Sequence, residues 1–183
     1  MPLPPDYLAA LEALAHAFAD YRSRTGNDAI LVGGAAAAIH TAGLFPSGDF
    51  DVVAANDAAF EEAMLAQGFE KESRARYLQM GFFHPRHPAY GFQQVSGSLF
   101  DGQSDLKRLI FLTIGRGEGV SVAIPSIEDM IADRLGQHAV FGPSDDSRLR
   151  QALALFQLKS DFDVQYLRHR IETEGGDPAL LGL

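Results

Sequence analysis

Apolar residues recur at three- and four-residue intervals over residues 5–24. Leu8, Leu11, Leu14, Ala15 and Phe18 fall on one face and predict an amphipathic helix. Pro4 and Pro5 suit its start and Gly26 its stop. "DAILVGG" then predicts a short buried strand ending at glycines, and "AAAAIHTAGL" an alanine-rich helix closed by Gly43. "DFDVVAA" predicts the next strand and "DAAFEEAMLAQGF" a helix ending at Gly68. "RARYLQMGFF", "FQQVSG", "RLIFLTI" and "GVSVAIP" read as further strands, with "HPRHPAYG" as a turn-rich connector. After Pro125 the period becomes helical throughout. "SIEDMIADRLGQHAVFG" opens with a capping pattern in which Ser126 precedes Asp129 by three residues, and "DSRLRQALALFQL" and "DVQYLRHRIETEG" follow. The pattern predicts an α+β core over 1–125 and a helical C-terminal part over 126–183.

Composition narrows the function classes. The chain has 183 residues, 46% of them apolar, enough for a sizeable core. Its net charge of −9 argues against nonspecific binding of duplex DNA, which needs clustered Lys and Arg. The absence of cysteine excludes disulfides, thiolate zinc sites and a cysteine nucleophile. The first residues lack the basic start and apolar middle of a signal peptide, and no apolar run approaches the ~20 residues that span a bilayer. A cytoplasmic protein with no membrane partner is expected.

The chemistry concentrates in "LVGGAAAAIHTAGLFPSGDFDVV". In a strand, Asp49 and Asp51 project to the same face, with backbones roughly 6.5–7 Å apart. Two such carboxylates repel unless a cation lies between them, and oxygen ligands of this kind suit Mg²⁺ or Mn²⁺. Two solvated aspartates at a strand end are the alternative. Gly33 and Gly34 end one strand and begin a helix, where free N–H groups attract phosphate and glycine lets a backbone approach a ligand. A tight turn is the alternative there.

Together these residues resemble the signature of the polymerase-beta-like nucleotidyltransferase superfamily: an apolar strand, Gly-Gly or Gly-Ser, a helix, then Asp-x-Asp in a strand. Here fourteen residues separate Gly34 from Asp49. "AIPSIEDMIADRL" is similar to the segment entering the helical part of small bacterial nucleotidyltransferase-like proteins, including toxin components of abortive-infection systems. The resemblance covers roughly residues 28 to 170. It implies a nucleotidyltransferase-like mixed sheet with flanking helices and a C-terminal helical bundle. It also implies transfer of a nucleotide from an NTP to a hydroxyl acceptor: RNA, a protein or a small molecule. Asp49 and Asp51 would hold Mg²⁺ or Mn²⁺, and the phosphates would lie near Gly33 and Gly34. The toxin type further implies an antitoxin partner.

Two departures matter. Active members carry a third carboxylate on a neighbouring strand, and the matching strand here has Gln93 and Gln94. Glutamine offers an oxygen but neither a base nor a charge. Asp101 or Asp105 would have to substitute. Relatives also place an Arg and a Thr before the first Asp, where this chain has Phe45 and Ser47. Phe45 removes a cation that could touch phosphate, while the Ser47 hydroxyl replaces the Thr and is expected at the nucleotide. The alternative function is therefore a catalytically degenerate protein of this fold that binds a nucleotide or a protein partner.

Among other features, Asp133 and Arg134 sit where relatives often carry a Lys or Arg facing the nucleotide; Arg134 is the candidate for that role, with an ordinary salt bridge as the alternative. His84 and His87 read as part of a proline-rigid turn rather than a metal site. His40 reads as a core or surface residue, with the cleft as the alternative. Lys71, Arg74, Arg76 and Arg86 form the most basic stretch. Arg148, Arg150, Arg168 and Arg170 read as solvated helix faces.

Overall fold

The computed structural model describes residues 3–72, 80–115, 119–142 and 145–183. Helix α1 (Pro5–Thr25) starts at proline, whose missing N–H costs nothing in a first turn, and ends where Gly26 takes a left-handed turn and donates to Arg22 O. It buries Tyr7, Leu11, Leu14, Phe18 and Tyr21. Leu8, expected on that face, is 40% exposed. Strand β1 (Ile30–Val32) leads directly into α2 (Gly33–His40). The Gly43 N–H closes that helix on Ala38 O. Strand β2 (Asp49–Val53) and helix α3 (Asp57–Ala66), capped by Asn56, follow.

Next come β3 (Glu70–Lys71), β4 (Met80–Phe83) and β5 (Gly91–Ser96). The stretch expected as the strand "RARYLQMGFF" lies partly outside the described residues, and Met80–Phe83 is its visible end. Two 3₁₀ turns, Leu99–Gly102 and Leu106–Arg108, precede β6 (Ile110–Ile114) and β7 (Val120–Ile124). Helices α4 (Ile127–Phe141), α5 (Ser147–Gln157) and α6 (Val164–Thr173) complete the chain with a last 3₁₀ turn at Pro178–Leu181. The Ser126 hydroxyl caps α4 by accepting from the Asp129 N–H.

Among the described residues, seven strands form one mixed sheet in the order β3-β4-β5-β2-β1-β7-β6. β2 runs parallel to β5 and β1 parallel to β7, and the remaining neighbours are antiparallel. One face carries the main core, where Leu31, Phe50, Val52, Phe92, Val122 and Ile124 cluster with residues of α1 and α3. The Phe50 and Phe92 rings stack with centroids 5.0 Å apart. The other face carries a smaller apolar cluster of Ile30, Val32, Val53, Leu99 and Ala123. Asp49 and Asp51 belong to this second face, because side chains alternate along β2.

The helical part is held by a buried ionic network. Arg170, fully buried, donates to Asp129 Oδ1 at 2.8 Å and to Glu174 Oε1 at 2.5 Å. Tyr166 also donates to Asp129 Oδ1. The expectation that Arg170 lies on a solvated face is therefore overturned: its acidic partners neutralise it inside the bundle. Arg150 and Arg168 are exposed.

Candidate active site

The site forms where β1, α2, β2 and β5 meet the helical part. Val32 pairs with Asp51 across β1–β2, and Asp51 pairs with Gln93 across β2–β5. Register thus places Asp51 between the start of α2 and Gln93. Gly33 has φ +66, and a methyl group there would lie 2.3 Å from Asp51 Oδ2. The notch that Gly33 leaves is filled by the aspartate itself, so the glycine is needed for the carboxylate as well as for the turn. Asp49 is paired in the same way with Gly91, where a Cβ would stand 2.6 Å from Asp49 Oδ1. Each carboxylate rests over a neighbouring glycine.

A cavity of about 540 Å³ opens beside Asp51. Gly33 and Gly34 line it from α2, and Ser98, Phe100 and Asp101 from the turn after β5. Asp133, Arg134, Arg148, Gln151 and Glu174 close it from the helices. Asp49 is exposed at the open side of the same strand face and is not part of the cavity wall.

Burial pushes the Asp51 carboxyl above its ordinary value and the Asp49 charge adds to the rise, while the Gln93 hydrogen bond and the Arg134 charge oppose it. Burial likewise raises Glu174, against the pull of Arg170 and with help from Asp133 and Asp101. Arg134 is buried and held by Asp133 and, at 3.4 Å, by Gln151. Arg148 is partly exposed and paired with Asp145.

The remaining expected residues fall as follows. Ser47 donates to Asp49 O at 2.8 Å and faces the Gly34 side of the turn, so its hydroxyl shapes the start of β2 instead of lining the cavity. Gln93 donates to Asp51 Oδ1 at 2.6 Å. Gln94 points to the opposite face, where its amide donates to Ala54 O and Asp57 Oδ1. That removes Gln94 from the third-ligand position, by the alternation of the strand. Asp101 lines the cavity in a left-handed conformation, φ 52, beside Phe100 at φ 45. Asp105 is away from the cavity and caps the second 3₁₀ turn at Lys107 N.

His40 Nε2 donates to Pro125 O at 3.0 Å, tying α2 to the start of α4. The His84 and His87 rings lie 4.9 Å apart. Lys71 is paired with Glu61. Arg74 and Arg76 lie outside the described residues. Periodicity did not single out Gly91, Phe100, Gln151 or Glu174, and it assigned Arg148 to a solvated face; only the tertiary fold brings them to the site.

The donor set suits one divalent cation. Asp49 and Asp51 supply hard oxygen ligands on one face, and the raised Asp51 is a carboxylate that a cation would relieve. Mg²⁺ commonly takes one or two carboxylates and completes its shell with water and substrate phosphates. Among the described residues no group of three or more Asp, Glu or His side chains is gathered to hold a metal by itself.

The architecture is a nucleotidyltransferase-like fold. It is similar to an antigenic nucleotidyltransferase-like protein from Paracoccidioides brasiliensis, with a TM-score of 0.61 and 15% identity over 94% of this chain and 88% of that one. It is also similar to the antibiotic-resistance factor ANT(2'')-Ia, with a TM-score of 0.56 and 11% identity over 90% of each chain. No protein-family model matches the sequence, and no curated protein matches it. Among the described residues, no helix is long and apolar enough to cross a membrane.

Proposed function

We propose that this protein is a metal-dependent nucleotidyltransferase. The observation that carries the reading is Asp51 seated in the Gly33 notch, with Asp49 on the same strand face and a cavity of about 540 Å³ beside it. An NTP would lie in that cavity with its phosphates toward the Gly33–Gly34 turn. The N–H groups of the first turn of α2 would meet phosphate oxygens, with Arg134 and Arg148 facing them across the cavity. Asp49 and Asp51 would hold Mg²⁺ or Mn²⁺, which when bound neutralises charge on the phosphates and withdraws electrons from the reacting phosphorus. An acceptor hydroxyl would attack the α-phosphorus. The new P–O bond forms as the bond to the β-phosphate oxygen breaks, pyrophosphate leaves, and the hydroxyl proton passes to a carboxylate at the cavity. Among the described residues, Asp101 is an acid on that wall with no hydrogen bond or ion pair to a cation.

The test is incubation with each labelled NTP, Mn²⁺ or Mg²⁺, and acceptors drawn from RNA, protein and small hydroxylated molecules. Transfer by the wild type, lost in Asp49→Ala and Asp51→Ala, is expected. Equal labelling in all three proteins would remove the proposal. A second reading, a nucleotide-binding protein that has lost transfer, is favoured by Gln93 standing where an acid would serve. It predicts nucleotide binding without labelling of any acceptor. The toxin-type reading rests on the resemblance around residues 123–135. Growth arrest on expression, relieved by Asp51→Ala, tests it.

A further inference from the structure

Gln93 is more than a missing acid. Its Nε2 lies 2.6 Å from Asp51 Oδ1, a charge-assisted contact across the β2–β5 register. The amide is oriented by chemistry: its NH₂ end faces a carboxylate, because its oxygen would be repelled. The other Asp51 oxygen, Oδ2, fills the Gly33 notch over the first turn of α2. Both oxygens of this aspartate are therefore placed, one by an amide and one by a backbone.

A site with two cations about 3.5–4 Å apart needs a carboxylate able to bridge them, and further oxygen donors around the second ion. Here a second ion approaching Oδ1 would meet the positive hydrogens of the Gln93 amide. Among the described residues no third Asp, Glu or His joins the pair to compensate. The Asp49 carboxylate lies over Gly91 on the exposed side of the same strand face, leaving the pair Asp49–Asp51 as the carboxylates for a single ion.

We infer that Gln93 is a positioning residue that makes this a one-cation site, loaded by the single divalent ion a nucleoside triphosphate brings with it. The inference rests on the nucleotide-binding reading above. Its prediction concerns stoichiometry, which a merely structural glutamine would not set.

The experiment counts Mn²⁺ bound to the full chain by electron paramagnetic resonance and calorimetry, with a nonhydrolysable α,β-methylene NTP at saturation. One Mn²⁺ per chain is expected for the wild type, without the spectral coupling of a close ion pair. Gln93→Glu is expected to bind two, coupled to each other. Two coupled ions in the wild type would overturn the inference while leaving the nucleotide site standing; Gln93 would then have turned its oxygen to the metal. A wild type that binds neither nucleotide nor Mn²⁺ would overturn both. Gln93→Glu is to be compared with wild type by circular dichroism. Should it not fold, the wild-type count alone decides.

Discussion

Replacing Gly33 by alanine tests the link between backbone and site most directly. Two costs are expected. The residue has φ +66, and a left-handed conformation costs an L-residue about 1–2 kcal/mol. The new methyl would also lie 2.3 Å from Asp51 Oδ2, so the carboxylate must move and its contact with Gln93 is strained or lost. A hydrogen bond to a charged group contributes about 1.5–3 kcal/mol. The combined destabilisation is then about 2.5–5 kcal/mol. For a chain of this size that lowers Tm by roughly 5–20 °C. Gly26 supplies the control, because its φ is +73 and nothing lies within 4 Å of an added Cβ. Gly26→Ala should therefore show only the backbone cost of about 1–2 kcal/mol. The assay is urea unfolding of Gly33→Ala, Gly26→Ala, and Gly33→Ala combined with Asp51→Ala. In the double variant the clash is gone, so the effect of Gly33→Ala should shrink toward that of Gly26→Ala. Equal losses for the two single variants would refute the claim that Gly33 exists to seat Asp51.

Other outcomes are expected of the same molecule. Asp51→Asn should raise the stability of the metal-free protein at neutral pH, since it removes a charge that burial and Asp49 disfavour, while abolishing Mn²⁺ binding. Thermal melting with and without Mn²⁺ checks both halves. Arg170→Ala should cost about 3–5 kcal/mol, because Asp129 and Glu174 lose their buried counter-charge; a loss below about 1 kcal/mol in urea would contradict the network described. Burial holds His40 below its ordinary value of 6.5, against the Pro125 carbonyl and the Glu128 charge. The unfolded chain therefore takes up this proton first, so the contribution of His40 to stability is complete above pH 6.5 and is lost as pH falls below it. His40→Gln should flatten that part of the stability profile, measured by denaturation from pH 7.5 down to 5.

The strand–helix–strand unit was legible because its chemistry is local. Periodicity sets α1 and α2, glycines stop them, and the two-residue repeat puts Asp49 and Asp51 on one face while Phe50 and Val52 enter the core. The same repeat separates Gln93 from Gln94, but only the pairing register tells which one meets Asp51. Register across strands far apart in sequence is a tertiary property, which also hides the role of Gly91. Arg170 was misread for a related reason. Its spacing on α6 matches an exposed face, and Asp129, the partner that buries it, stands 41 residues earlier. The cavity wall at Phe100 and Asp101 depends on two left-handed residues; the Asp101-Gly102 pair in "LFDGQSD" marks a turn but does not announce that Phe100 is left-handed or that the turn faces the site.

The walls of the cavity are drawn from residues far apart in sequence, from Val32 to Glu174. During synthesis the early strands emerge first, and the wall that faces them is added only as α4, α5 and the end of α6 follow. A nascent chain that has not yet reached α4 therefore presents Asp51 and the Gly33–Gly34 turn without the facing wall of Asp133, Arg134, Arg148, Gln151 and Glu174.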